Sequence, residues 1–196
     1  MKKDQQFGTE TELEKRICAD PDWQAGAEWG EPRPGHPEGA VKHHIADVLA
    51  NVDRYATAPD DRRRLRLVAL THDTFKHRVD YEKPRVGENH HGMIARRFTA
   101  GYLDDHEVLD IIELHDEAYN AYSSGARRGD WAKAEARADR LIDRLGDALP
   151  LYTTFFRCDN ETGSKTSESY DWFVQRANPV TAENGSRQPT GLELGR

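Results

Sequence analysis

The chain has 196 residues, a formal net charge of −7, 36% hydrophobic residues and a mean hydropathy of −0.90. That length suits one domain with a proper core and polar ends. The acidic balance, with no dense basic run outside Arg62-Arg63-Arg64, argues against nucleic acid as a large-area partner, and no apolar run approaches the roughly 20 residues that span a bilayer.

Cysteine usage is sparse. Cys18 and Cys158 are the two thiols, one in an expected tail and one in an expected helix, which disfavours a disulfide framework. The Met1-Lys2-Lys3 start has no apolar stretch behind it, so a cytoplasmic location is expected. The sequence leaves homo-oligomerisation open.

Residues 1–34 read as an N-terminal extension that packs partly on the core. It is polar at first, then carries a short helix over Thr11 to Cys18 and two tryptophans, Trp23 and Trp29, whose indoles favour a packed position. Gly35-His36-Pro37-Glu38-Gly39 is a loop by its punctuation. The spacing of Val41, Ile45, Val48, Leu49 and Val52 predicts a helix from Glu38 to Tyr55. His44 falls on that apolar stripe, whereas His43 and Asp47 point elsewhere.

After a polar connection at Thr57 to Asp61, Leu65, Val68 and Ala69 lead onto His72 and Lys76 at helical spacing, which predicts one helix through Lys76. A histidine, an aspartate and a lysine on the buried part of a helix are costly unless they are used there. Arg78 to Gly87 is a loop. Asn89 is the expected cap of a helix to Leu103, with Ile94, Phe98 and Tyr102 inward and His90 and His91 in its first turn. Asp104-Asp105 opens another helix whose stripe runs Val108, Ile111, Ile112 and His115, then on through Tyr119 and Tyr122.

Ser123-Ser124-Gly125 is read as a turn, and Asp130 as the start of a helix lined by Trp131, Ala134, Ala138, Leu141, Leu145 and Leu149. A last helix begins at Pro150, with Tyr152, Phe155, Phe156 and Asp159 on its inner side and Asn160 and Gly163 as stop signals. Tyr170, Trp172 and Phe173 tuck one more short segment against the core. Residues 178–196 are read as a disordered tail.

All nine histidines lie between His36 and His115. A single histidine on an apolar face is ordinarily a hydrogen-bonded core residue. Here His44, His72, His90 or His91, and His115 come from separate helices, with Asp73 beside His72 and Asp159 on a further face. That mixed imidazole and carboxylate set suits a divalent transition metal.

The segments Gly35-His36-Pro37-Glu38-Gly39-Ala40-Val41-x-x-His44, His72-Asp73-x-x-Lys76 and His90-His91-Gly92-x-Ile94-Ala95 together resemble the HD-domain metal-dependent phosphohydrolase superfamily. The first segment is particularly similar to the HD domain of some bacterial tRNA nucleotidyltransferases. The resemblance implies an all-α HD-domain helical bundle, here over residues 35–177. It also implies a divalent ion (Mn, Mg, Co, Ni, Zn or Fe) on His44, His72, Asp73 and a late aspartate. Asp139, in Ala138-Asp139-Arg140-Leu141, resembles the family's common ending. Asp159 shares its face with apolar residues and is preferred, because Asp139 has Glu135 and Asp143 for helical neighbours.

In the family, extra histidines bind a second metal or contact substrate phosphate, which assigns His90 or His91, and His115, to the metal set. The implied activity is hydrolysis of a small phosphorylated metabolite, with Lys76 stabilising developing charge and Arg97 and Lys165 available to touch phosphate. Two alternatives share the fold: a two-metal oxygenase resembling inositol oxygenase, and a non-catalytic nucleotide-binding module. Asp116 is read as an outer acceptor for an imidazole or as solvent-facing.

Overall fold

The computed structural model describes residues 8–32 and 39–185, the stretch 179–185 by backbone alone. The expected loop residues Gly35, His36, Pro37 and Glu38 and the end of the expected tail, 186–196, lie outside the described residues. Among those described, the chain is all-α, without a strand.

Two short helices lead. Thr11 accepts from the Glu14 amide at 3.1 Å and starts α1 (Glu12–Ala19). Asp20 then caps α2 (Pro21–Ala27), with Pro21 at the position where a missing N–H costs nothing. The main bundle follows: α3 (Val41–Tyr55), α4 (Pro59–Thr71), α5 (His91–Ala100), α6 (His106–Leu114), α7 (Glu117–Arg128), α8 (Trp131–Leu145), α9 (Leu149–Asn160) and α10 (Glu168–Gly185). Short 3₁₀ turns stand at Lys76–Arg78, Gly87–Asn89 and Gly146–Ala148.

The centre is α4. Every residue from Leu65 to Thr71 is buried, and α3, α6 and α9 pack around it. α5 lies on α6, α7 pairs with α8, and α10 crosses α7 and α9. The leading helices join the same core through Ile17, Trp23 and Ala27. Their firmest tie is a buried ion pair, Arg66 Nε to Glu14 Oε1 at 2.8 Å, that the sequence reading did not single out.

Five sequence expectations are corrected. The expected helix through Lys76 stops at Thr71, because side chains take the carbonyls of its last turn. Thr71 Oγ1 donates to Leu67 O, the His72 ring faces Val68 O and Ala69 O, and Trp23 Nε1 and Thr74 Oγ1 both donate to Leu70 O. Those bonds compete with continued i→i−4 pairing and satisfy the helix end. The stripe from Val108 to Tyr122 is two helices, not one. Tyr152 OH fills the break, facing Leu114 O at 3.2 Å and His115 O at 3.3 Å while accepting from the Ala118 amide.

The expected turn at Ser123-Ser124-Gly125 is helical. α7 runs on to Arg128 and ends at Gly129, whose φ of 70° is the left-handed conformation of a helix C-terminus. Gly125 instead makes room for a neighbour, since a Cβ there would meet the Trp131 ring at 2.3 Å. Asn89 does not cap α5. His90 does, accepting from the Gly92 amide at 3.2 Å, while Asn89 holds the preceding loop through Asp80 and Pro84. At the C-terminus α10 continues to Gly185, so 178–185 is helix rather than tail. Among the described residues no helix is long and apolar enough to cross a membrane.

Candidate metal centre

Five elements deliver side chains to one interior point. His44 comes from α3, where the apolar stripe buries it and leaves His43 exposed. His72 and Asp73 stand on the tight turn that ends α4, and His115 and Asp116 on the break between α6 and α7. His91 opens α5, and Asp159 is in the last turn of α9.

Hydrogen bonds at the far side of each ring set its tautomer. His72 Nδ1 lies 3.1 Å from Ala69 O, and His115 Nδ1 lies 2.8 Å from Ile112 O. A carbonyl oxygen only accepts, so both Nδ1 atoms carry the proton and both Nε2 lone pairs face inward. The Thr162 hydroxyl donates to Asp159 O at 2.7 Å, which leaves its oxygen to accept from His44 Nδ1 at 3.4 Å. His44 Nε2 therefore also points inward with its lone pair.

What these nitrogens face is more electron density. His44 Nε2 is 3.2 Å from His72 Nε2, 3.0 Å from Asp159 Oδ1 and 3.6 Å from Asp73 Oδ2. On the other side of Asp73, His91 Nε2 is 3.0 Å from His115 Nε2, and the two lie 3.4 and 3.3 Å from Asp73 Oδ1. Asp73 Oδ1 is buried and makes no hydrogen bond. Inward lone pairs around an orphaned carboxylate oxygen are a poor arrangement for anything but a cation. The donor set thus fits a divalent metal. His44, His72 and Asp73 form one group able to hold an ion, and Asp73, His91 and His115 a second.

Electrostatics agree with that fit. Burial drives the His72 imidazole down to about 3, the neutral form a ligand needs. For His115 burial also works downward, but the Asp116 and Asp73 carboxylates override it and raise the ring to about 9, so with no cation at the centre its Nε2 takes up a proton that a bound ion would displace. Burial opposes ionisation of Asp73, yet the Lys76 ammonium and His72 hold its carboxyl well below the usual carboxylate range. Asp159 is held well below that range in the same way, against burial, by Lys165 and His44. The centre draws positive charge from every side.

The residues singled out from sequence fall in three zones. His44, His72, Asp73, His91, His115 and Asp159 meet at the centre, with Lys76 bonded to Asp73 Oδ2 and Lys165 Nζ 2.9 Å from Asp159 Oδ1. His90 stands one layer out, its Nε2 4.0 Å from Asp116 Oδ2 and its ring against His91. Its Nδ1 accepts from the Gly92 amide, and His90, His91 and Asp116 form a third group able to hold an ion. Arg97 is exposed and ion-paired with Glu88, apart from the centre. Asp139 is likewise apart, exposed in a two-bond pair with Arg176.

Two participants were not legible as such. Asp116 was read as an outer acceptor or solvent-facing, yet its Oδ2 is 3.3 Å from His91 Nε2 and its Oδ1 is 3.6 Å from His115 Nε2. Thr162, which orients His44, lies in a loop with no periodic signal. The adjacency of Asp116 to His115 was the one available hint for the former.

A family model for the HD domain matches residues 41–146, more than half of the chain. The chain therefore belongs to the HD-domain superfamily. The match ends before α9, so Asp159 is contributed from beyond it. No curated protein and no solved structure matches the chain.

Proposed function

We propose that the protein is a metal-dependent phosphohydrolase acting on a phosphate monoester, a nucleotide or similar small phosphorylated metabolite. One observation carries the reading. The lone-pair-rich centre has an ammonium group on each of its two inner carboxylates, Lys76 on Asp73 and Lys165 on Asp159. Such a place suits a strongly anionic group.

His44, His72, Asp73 and Asp159 would hold one divalent ion, and Asp73, His91, His115 and Asp116 a second. Ions so held lower the pKa of bound water and neutralise charge on a phosphoryl oxygen. The remaining chemistry is the chain's own. Burial disfavours the Lys76 ammonium, but Asp73 and Asp116 keep it charged and so available to a phosphoryl oxygen. Lys165, exposed but tethered to both the carboxylate and the backbone carbonyl of Asp159, is the second such donor.

The test is release of inorganic phosphate from a panel of phosphorylated metabolites by metal-replete wild type and by His72→Ala. Wild type is expected to turn over at least one ester and the variant none. Metal-replete protein inert on every ester would overturn the proposal. A second reading, an oxygenase, is favoured by the two-sided use of Asp73, which suits a pair of metals. Iron at two per chain (roughly stoichiometric) together with oxygen consumption would support it instead.

A further inference from the structure

A cavity of about 480 Å³ opens on the side of α5 and α8, next to the metal centre but not part of it. His90 forms part of its wall, and its ring lies against that of His91 with the centroids 4.4 Å apart and the planes tilted by 38°. Glu117, which directly follows Asp116, forms another part. The cavity therefore borders the metal centre along His90 and Glu117.

Its lining is unlike the rest of this acidic protein. Arg85, Arg137, Arg140 and Arg144 face it, against the carboxylates of Glu113 and Glu117. Arg137 is matched by Glu117 through two bonds of 2.8 Å, and Arg144 by Glu113 at 2.7 Å. The Arg140 side chain makes no hydrogen bond or ion pair among the described residues, and Arg85 only lies over the Tyr81 ring at 5.9 Å. Two guanidinium charges are thus left without a carboxylate. A phosphate monoester carries close to two negative charges at neutral pH, and the planar guanidinium fork matches its oxygens. Met93, Leu114 and Leu141 supply apolar wall for the body of a ligand. A second cavity, beside Lys165, has one such charge rather than two, because Arg127 bonds only the Tyr119 hydroxyl while Lys165 bonds Asp159.

We propose that this cavity receives a second phosphoryl group of the substrate, so that the preferred substrate is an ester carrying two phosphates on one small scaffold. The inference rests on the phosphohydrolase reading for the scissile phosphate, but the arginine cavity can be tested apart from it. The probes are adenosine monophosphate and an adenosine bisphosphate with one phosphate at each end of the ribose.

In calorimetric titrations wild type is expected to bind the bisphosphate about 10-fold or more tighter than the monophosphate. The double charge reversal Arg85→Glu/Arg140→Glu, at two exposed positions, is expected to abolish that preference. The ratio of kcat/KM for the two esters should move in parallel. Equal affinities in wild type, or a preference that survives the charge reversal, overturns the inference, even if both esters are hydrolysed. A charge-dependent binding preference without hydrolysis of either ester upholds the cavity and defeats only the phosphohydrolase reading.

Discussion

The two sides of Asp73 make the most instructive contrast in the molecule. On the Oδ2 side, His44 and His72 are 3% and 0% exposed and come from the two helices at the heart of the bundle. On the Oδ1 side, His91 and Asp116 stand at a helix start and a helix break, with the Asp116 side chain 33% exposed. The inner half is therefore the more deeply packed, whereas the outer half, although it includes buried His115, has two of its groups at element ends that cost less to move. If each half holds an ion as proposed, the contrast predicts a tightly held inner ion and a more exchangeable outer one.

That contrast can be broken or sharpened by experiment. Asp73→Asn removes the charge common to both halves, and turnover is expected to fall by about 10²–10³-fold or more. Elemental analysis should show both ions depleted; full metal content in that variant would contradict the sharing. Metal removal is the next largest effect. Adding back a divalent ion at about 100 times its dissociation constant should stabilise the fold by about 2.7 kcal/mol. For a chain of this size that is a melting shift of roughly 5–10 °C, read by calorimetry. Asp116→Asn should weaken only the outer ion, by about 10–100-fold, leaving the inner one in place. A competitive chelator titration resolves the two, and equal weakening of both would erase the inner–outer distinction.

The smallest effect reaches the inner half from a distance. Gly26 of α2 lies so close to the turn carrying Asp73 that a Cβ would sit 1.7 Å from Thr74 O. Gly26→Ala must displace backbone, at an expected cost of about 1–3 kcal/mol in thermal unfolding. Inner-ion affinity should drop with it, and unchanged stability would mean that α2 gives way freely.

Periodicity made the all-α class readable, and it separated buried His44 from exposed His43, because one helical face is a short-range property. It also drew attention to the His72-Asp73 doublet. It failed where tertiary partners decide local structure. Nothing in Leu65 to Lys76 announces that Trp23, dozens of residues away, will occupy the Leu70 carbonyl and help end the helix. Gly125 looks like a turn residue until Trp131 is seen filling the space above it. Asp116 gained its place only when Tyr152 split one expected helix into two. His90 and His91 were indistinguishable by pattern, and hydrogen bonding at their ring nitrogens tells them apart.

The link between Trp23 Nε1 and Leu70 O, 2.7 Å long, bears on where the autonomous unit begins. The recognisable family segment starts at residue 41, well after that indole, and stops at 146, ahead of Asp159. A fragment trimmed to those limits would forfeit both a plug for the pivotal helix end and one of the acids. The smallest piece worth expressing is longer than its own signature.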